Sequence, residues 1–272
     1  MIRLKTEEEI AKMKRGGEIL SRVLSSLMKA CVAGAHTVDL DRLAREGIEK
    51  AGGKPSFLHY KIHAHDPEYP ATLCISINEQ VVHGLPEPDR VIQNGDLVSL
   101  DIGMWYPVKG PSAPTGDSES MATDMAATVA VGKVSADARR LNDDTRESLK
   151  RALSVVKEGA WIHEIGMAVE GFLDPKGYGI IKELCGHGVG HAVHEDPQIP
   201  NYHERGYRPV KMKAGMCLAI EPMVSLGAWR VRQLDNGWTF STVDGSLAAH
   251  WEVTVAVTKS GYELITPWPD GV

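Results

Sequence analysis

Val98-Ser99-Leu100-Asp101-Ile102-Gly103-Met104 alternates between apolar and small or polar residues without a break. Successive side chains of a strand point to opposite faces, so Asp101 shares one face with Ser99 and Gly103, while Val98, Leu100, Ile102 and Met104 form the other. Three further stretches repeat the arrangement. In Asp124-Met125-Ala126-Ala127-Thr128-Val129-Ala130-Val131 the bulky face is Met125, Val129 and Val131, and Asp124 sides with Ala126, Thr128 and Ala130. Glu221 sides with Ala219 in Leu218-Ala219-Ile220-Glu221. In His250-Trp251-Glu252-Val253-Thr254-Val255, Glu252 aligns with His250 and Thr254, opposite Trp251, Val253 and Val255. A solvated face of an antiparallel sheet explains any one of these acids. The company they keep does not suit it, because their neighbours are Gly, Ala, Ser and Thr rather than Lys, Arg and Glu. Small neighbours leave room for a cavity floor. Carboxylates gathered there take up protons or bind cations. If the four converge, two divalent ions and a bridging hydroxide bring the cluster near neutrality. Hard oxygen donors with one imidazole suit Mn, Fe(II), Co or Zn.

The elements around these strands predict an α+β fold. Thr6-Glu7-Glu8-Glu9 reads as a capping box, followed by a helical stripe at Ile10, Met13, Ile19, Leu20, Val23, Leu24 and Leu27. A second helix starts near Thr37 to Asp39 and stops at Gly52-Gly53. Strands are expected at Leu73 to Ile77, Leu97 to Trp105 and Met125 to Val131. Ser135 caps a third helix running to about Val156, and Ile162 to Leu173 forms a fourth. Strands return at Cys217 to Glu221, Val231 to Leu234, Trp238 to Val243 and His250 to Thr258, with hairpin turns at Asp235-Asn236-Gly237 and Lys259-Ser260-Gly261. Each half reads helix, helix, strands. Pro107 to Thr123, rich in Pro, Gly, Ser and Ala, reads as a long functional loop.

Composition narrows the class. The 272 residues carry 30 basic and 36 acidic side chains, a net charge of −6, which argues against a nucleic-acid binder needing a basic stripe. No apolar run approaches the ~18 residues of a membrane helix, and the N-terminus lacks a signal-like apolar region. Cys31, Cys74, Cys185 and Cys217 are scattered among apolar neighbours, as expected of reduced core residues in a cytoplasmic protein.

Gly186-His187-Gly188-Val189-Gly190-His191-Ala192-Val193-His194 packs three histidines and three glycines into nine residues. It fails the dinucleotide fingerprint, since His191 stands where the third glycine belongs. Glycine flanks that admit close approach favour His187 as a metal ligand, whereas His191 and His163 read as satisfied structural residues.

Five motifs in this order resemble type I methionine aminopeptidases of the pita-bread fold. They are Asn78-Glu79-Gln80-Val81-Val82-His83-Gly84-Leu85-Pro86, Gly95 to Asp101, the histidine segment continuing through Glu195-Asp196-Pro197, Met216 to Met223, and Ala249-His250-Trp251-Glu252. The resemblance covers nearly the whole chain. It implies one catalytic domain over residues 1–272, with a pseudo-twofold antiparallel sheet and helices on one face. Two divalent ions would be held by Asp101, Asp124, His187, Glu221 and Glu252. The implied reaction is removal of the initiator methionine from peptides and nascent chains with a small second residue, by a hydroxide shared between the ions. Glu221 would carry the proton, His194 would stabilise the oxyanion and His83 would assist at the scissile nitrogen. His83 and His194 would also line the substrate site, with a methionine pocket of Tyr69, Cys74, Trp238 and Tyr60. The expected protein is a cytoplasmic monomer acting on nascent chains, with the ribosome as a contact, and without nucleic-acid specificity or a membrane.

The chain also departs from the family pattern. The loop before Asp124 makes Asp117 a competing second aspartate; the distance to Val131-Gly132 favours Asp124. Val253 and Val193 stand where relatives often carry His and an aromatic residue, and Ile62 to Glu68 looks inserted. Two rivals stay open: another pita-bread metallopeptidase of the Xaa-Pro type, and a metal-free binding protein of the same fold.

Overall fold

The computed structural model describes residues 2–61, 65, 67–108, 119–203, 206 and 209–271. Asp117, most of the Pro107 to Thr123 loop and part of the Ile62 to Glu68 insertion lie outside the described residues.

Four helices form where the caps and apolar stripes place them: α1 (Glu7–Ala30), α2 (Thr37–Lys50), α3 (Ala136–Ser154) and α4 (Ile162–Leu173). At the start of α1 the Glu9 N–H donates to Thr6 Oγ1 (3.2 Å) and the Thr6 N–H to Glu9 Oε2 (2.8 Å), the reciprocal capping box read from the sequence. Ser135 Oγ accepts the Ala138 N–H at the start of α3, which runs unbroken and stops two residues short of Val156.

The main sheet is a nine-stranded antiparallel array. Leu97–Tyr106 pairs along its whole length with Met121–Ala130, which pairs with Glu252–Val257, then Cys217–Ile220, Gly186–Gly188 and Glu195–Ile199. Leu73–Ile77 and Lys54–Pro55 add to Leu97–Tyr106, and Tyr262–Leu264 adds to Glu252–Val257. The Met121–Ala130 strand begins four residues earlier than its sequence pattern, so Asp124 sits inside it. Ten cross-strand partners, Leu97↔Ala130 to Tyr106↔Met121, carry the pairing past the alternating stretch.

Strand parity holds. Val98, Leu100, Ile102, Met104, Met125, Leu218, Ile220, Val253 and Val255 are buried in one core with Leu20, Leu24 and Leu27 of α1 and Leu141 and Leu149 of α3. The opposite face is not solvated: every residue from Leu97 to Trp105 is buried. A second apolar cluster containing Tyr69, Cys74, Trp105, Ala219 and Trp238 covers that side. Cys31, Cys74 and Cys217 are buried free thiols as expected, while Cys185 is only half-buried. Among the described residues no helix is long and apolar enough to cross a membrane.

Helix α1 approaches the C-terminal segment closely at Gly17, where a Cβ would overlap the backbone carbonyl of Ile265. Neither partner is a flexible side chain, so Gly17→Ala has to displace the helix from its seat. The expected cost is about 1–3 kcal/mol, read as a lower denaturant midpoint with an unchanged slope. An unchanged midpoint would show that the helix seat tolerates a methyl group.

Candidate metal centre

Register alone brings the acids together. Asp101 pairs with Ala126 and Asp124 with Gly103, so the two aspartates lie diagonally on one face. Glu252 also pairs with Ala126, which puts it on that face in the next strand. Ala219 pairs with Thr254 and with His187, so Glu221, two residues from Ala219, and His187 join the same side. Four side chains from four strands, with Glu221 one residue past the end of a fifth, thus share one floor. Cys74, paired with Asp101, extends it on the far side. None of the five is more than 9% exposed.

Burial without a compensating charge reshapes their titration. Asp101 is raised from 3.8 to about 7, chiefly by burial and then by the Glu221 charge, with His250 pulling the other way. Asp124 is raised well above its usual value by burial and by Asp101 and Glu221. Burial also raises Glu221, and raises Glu252 with help from Asp124 and Glu221. His187 is lowered to about 4, so its ring is neutral. The His187 Nδ1–H donates to the Gly188 carbonyl at 2.9 Å, which leaves the Nε2 lone pair free, 3.4 Å from Glu221 Oε1.

Asp101 Oδ1, Asp124 Oδ1 and Glu252 Oε1 are buried with no hydrogen-bond partner. Donor atoms of Asp124, His187 and Glu252 lie within 4.8 Å of one another. Those of Glu221, His250 and Glu252 form a second such group. Orphaned anionic oxygens, a neutral imidazole with a free nitrogen and a carboxylate common to both groups suit a pair of divalent cations.

A narrow cavity of about 60 Å³ opens over this floor, walled by Tyr60, Tyr69, Cys74, His83, His194 and Trp238, all named from the sequence. Phe57 and Val82 complete the wall and were missed, since their apolar type reads as plain core. A wider cleft of about 630 Å³, bordered by Glu183, Cys185 and Asp196, continues from the same residues toward solvent.

His194 keeps one edge open to that cleft. Its Nδ1 lies 2.6 Å from the Tyr60 hydroxyl, and its ring centre is 4.4 Å from that of His187. Desolvation, then His187, lowers it to about 3, while burial raises the Tyr60 phenol. The neutral phenol therefore donates to Nδ1, and the His194 proton is left on Nε2. His83 is also lowered to about 3 by burial and by His194 and His250, and it is held in the left-handed region (φ 56°). Gly84 follows because a Cβ there would overlap the Ile75 carbonyl.

The turn carrying His194 hangs from the N-terminal arm. Lys5 Nζ, 1% exposed, meets Glu195 Oε2 at 2.6 Å. Glu195 Oε1 accepts the N–H groups of His191 (2.5 Å) and Ala192 (2.9 Å), and His191 Nε2 lies 2.9 Å from Glu9 Oε1. His191 thus has the structural role that the sequence suggested, through its Nε2 and its N–H, while its buried Nδ1 has no hydrogen-bond partner. His163 is also away from the floor, stacked on Trp161.

Comparison with known proteins places this geometry. The model of metallopeptidase family M24 matches residues 11–259. The methionine aminopeptidase of Aquifex aeolicus is 40% identical over 266 residues, covering 97% of this chain and 98% of the relative. The crystal structure of methionine aminopeptidase from Thermotoga maritima superposes with a TM-score of 0.88 at 39% identity, covering 98% of this chain and 99% of that one. An Xaa-Pro dipeptidase from Bacillus anthracis shares the fold (TM-score 0.75) at 21% identity, with 99% of this chain matched to 63% of that one. The fold is the pita-bread fold of these structures, and the chain belongs to metallopeptidase family M24.

Proposed function

We propose that this chain is a dinuclear metal-dependent aminopeptidase that removes the initiator methionine from peptides with a small second residue. Asp101, Asp124, His187, Glu221 and Glu252 are the metal ligands in this reading. The observation that carries it is the convergence of these five side chains on one buried face, over a narrow apolar slot of a size for one side chain. The names of the full-length relatives, at up to 40% identity, support the substrate. The chain works as a single catalytic domain, a monomer in the cytoplasm, on nascent chains at the ribosome.

Two divalent ions held by the five ligands supply, when bound, a water acidic enough to attack near pH 7 and Lewis acidity for the scissile carbonyl. The protein does the rest. Tyr69, Cys74, Trp238 and Tyr60 enclose the methionine side chain, while the wider cleft takes the residues that follow. Glu221 accepts the proton of the attacking water and passes it to the leaving amine. His194, with its proton on Nε2, donates to the developing oxyanion. His83, which lies beside Trp238 (ring centres 6.3 Å apart), assists at the scissile nitrogen in this reading.

The preference is tested on Met-Ala-Ser against Xaa-Pro peptides, with and without chelator. Methionine release should vanish with chelation and return with Mn, Co or Fe(II); activity confined to Xaa-Pro peptides would favour the dipeptidase reading. Glu221→Gln should lower kcat by about 10²–10⁴-fold, and His194→Ala by about 10²–10³-fold, each with methionine binding retained.

Metal loading should also release protons. The metal-free folded chain keeps protons that an unfolded chain loses above 3.8, and Asp101 holds its own to about 7. Stability of the metal-free protein therefore falls as pH rises through that window, because the folded state binds more protons there. At pH 6, Mn(II) titrated calorimetrically in two buffers of different ionisation enthalpy should expel at least one proton per chain. Identical heats in both buffers would contradict the ligand assignment.

A further inference from the structure

The geometry points to His250 as a sixth protein ligand, binding through Nε2 the ion that Glu221 and Glu252 share. The inference rests on the dinuclear reading above and adds a nitrogen donor to it. His250 is 1% exposed, and neither ring nitrogen has a hydrogen-bond partner. A buried polar group left without a partner forfeits its hydration with no return, so an imidazole placed there without a use would be costly.

Its ring is aimed by its surroundings. Ala248–His250 pairs with Met223–Ser225, placing His250 opposite Met223, just beyond Glu221 and Pro222. Thr128, on the aspartate-bearing strand, fixes the backbone on both sides: the His250 N–H donates to Thr128 Oγ1 (2.9 Å), and that hydroxyl contacts the His250 carbonyl at 2.8 Å. Trp251 turns away, its Nε1–H donating to Asn142 Oδ1 (2.6 Å) on α3, so His250 and Glu252 both face the floor.

There His250 Nε2 stands 3.4 Å from Glu221 Oε2, while Glu221 Oε1 stands 3.4 Å from His187 Nε2. The Glu221–His250 approach is long for a hydrogen bond. The donor atoms of Glu221, His250 and Glu252 lie within 4.8 Å of one another, as do those of Asp124, His187 and Glu252, so the floor offers an imidazole in each group. The added ligand is neutral and leaves the charge balance unchanged.

Proton NMR of the Co(II)-loaded protein counts coordinated imidazoles through their hyperfine-shifted, solvent-exchangeable N–H signals. Wild type should show two; His187→Gln should lose one and His250→Gln the other. In His250→Gln the weaker Mn(II) affinity should fall by at least the about 10–100-fold that losing a mere outer partner costs. A single signal in wild type, retained in His250→Gln, overturns the inference while leaving the dinuclear reading intact. Failure of wild type to bind two Co(II) ions sinks both.

Discussion

Four carboxylates cannot be taken out of water together unless something replaces the water. Desolvation costs several kcal/mol per charged group even after relaxation, and here it falls on Asp101, Asp124, Glu221 and Glu252 at once. The metal-free chain meets that cost by holding protons, Asp101 to about 7, with Asp124, Glu221 and Glu252 also raised well above the usual carboxylate range by burial. Cations answer the same demand without neutralising the ligands. The rest of the molecule follows from having to hold these groups in place before either arrives.

A paired sheet does this better than loops could, because each acid's position is set by backbone hydrogen bonds on both sides. The repeated order of helix, helix and strands puts one acid-bearing strand pair in each half: Leu97–Tyr106 with Met121–Ala130, and Cys217–Ile220 with Glu252–Val257. The halves join where Met121–Ala130 meets Glu252–Val257, so the site lies across the seam. Helices α1 and α3 cover the apolar face, and on the other face the absent side chain of Gly103 lets Ser56 and the Phe57 ring pack directly on the sheet. His194, which stands outside the strands, is tethered instead by the Lys5–Glu195 pair and the His191–Glu9 contact. That tether reaches the capping box of α1, because Glu9 serves both.

Strand parity is local, and so the faces of all four acids were legible from their immediate neighbours. His187 was legible for a similar reason, its glycine flanks. What the covering layer would be was not legible: alternation distinguishes two faces but does not say that both are dry. Short strands such as Met223–Ser225 and Ala248–His250 escaped because three residues carry no period. His250 was visible as a neighbour of Glu252 on the acid face, yet its approach to Glu221 depends on the pairing of Met223 with His250, which no local pattern encodes. Phe57 and Val82 gave no signal, since a pocket wall and a core use the same side chains.

The division between floor and walls explains how one fold serves different peptides. The floor is written into sheet register, where a one-residue slip would turn every ligand to the wrong face; such a frame is hard to alter piecemeal. Tyr60, His83, His194 and Trp238 come from connecting segments that can change length or residue without disturbing that register. An Xaa-Pro dipeptidase sharing this fold at 21% identity is what this division allows. His250 belongs to the floor, fixed there by its pairing with Met223, so a substitution at it bears on the metal rather than on the peptide.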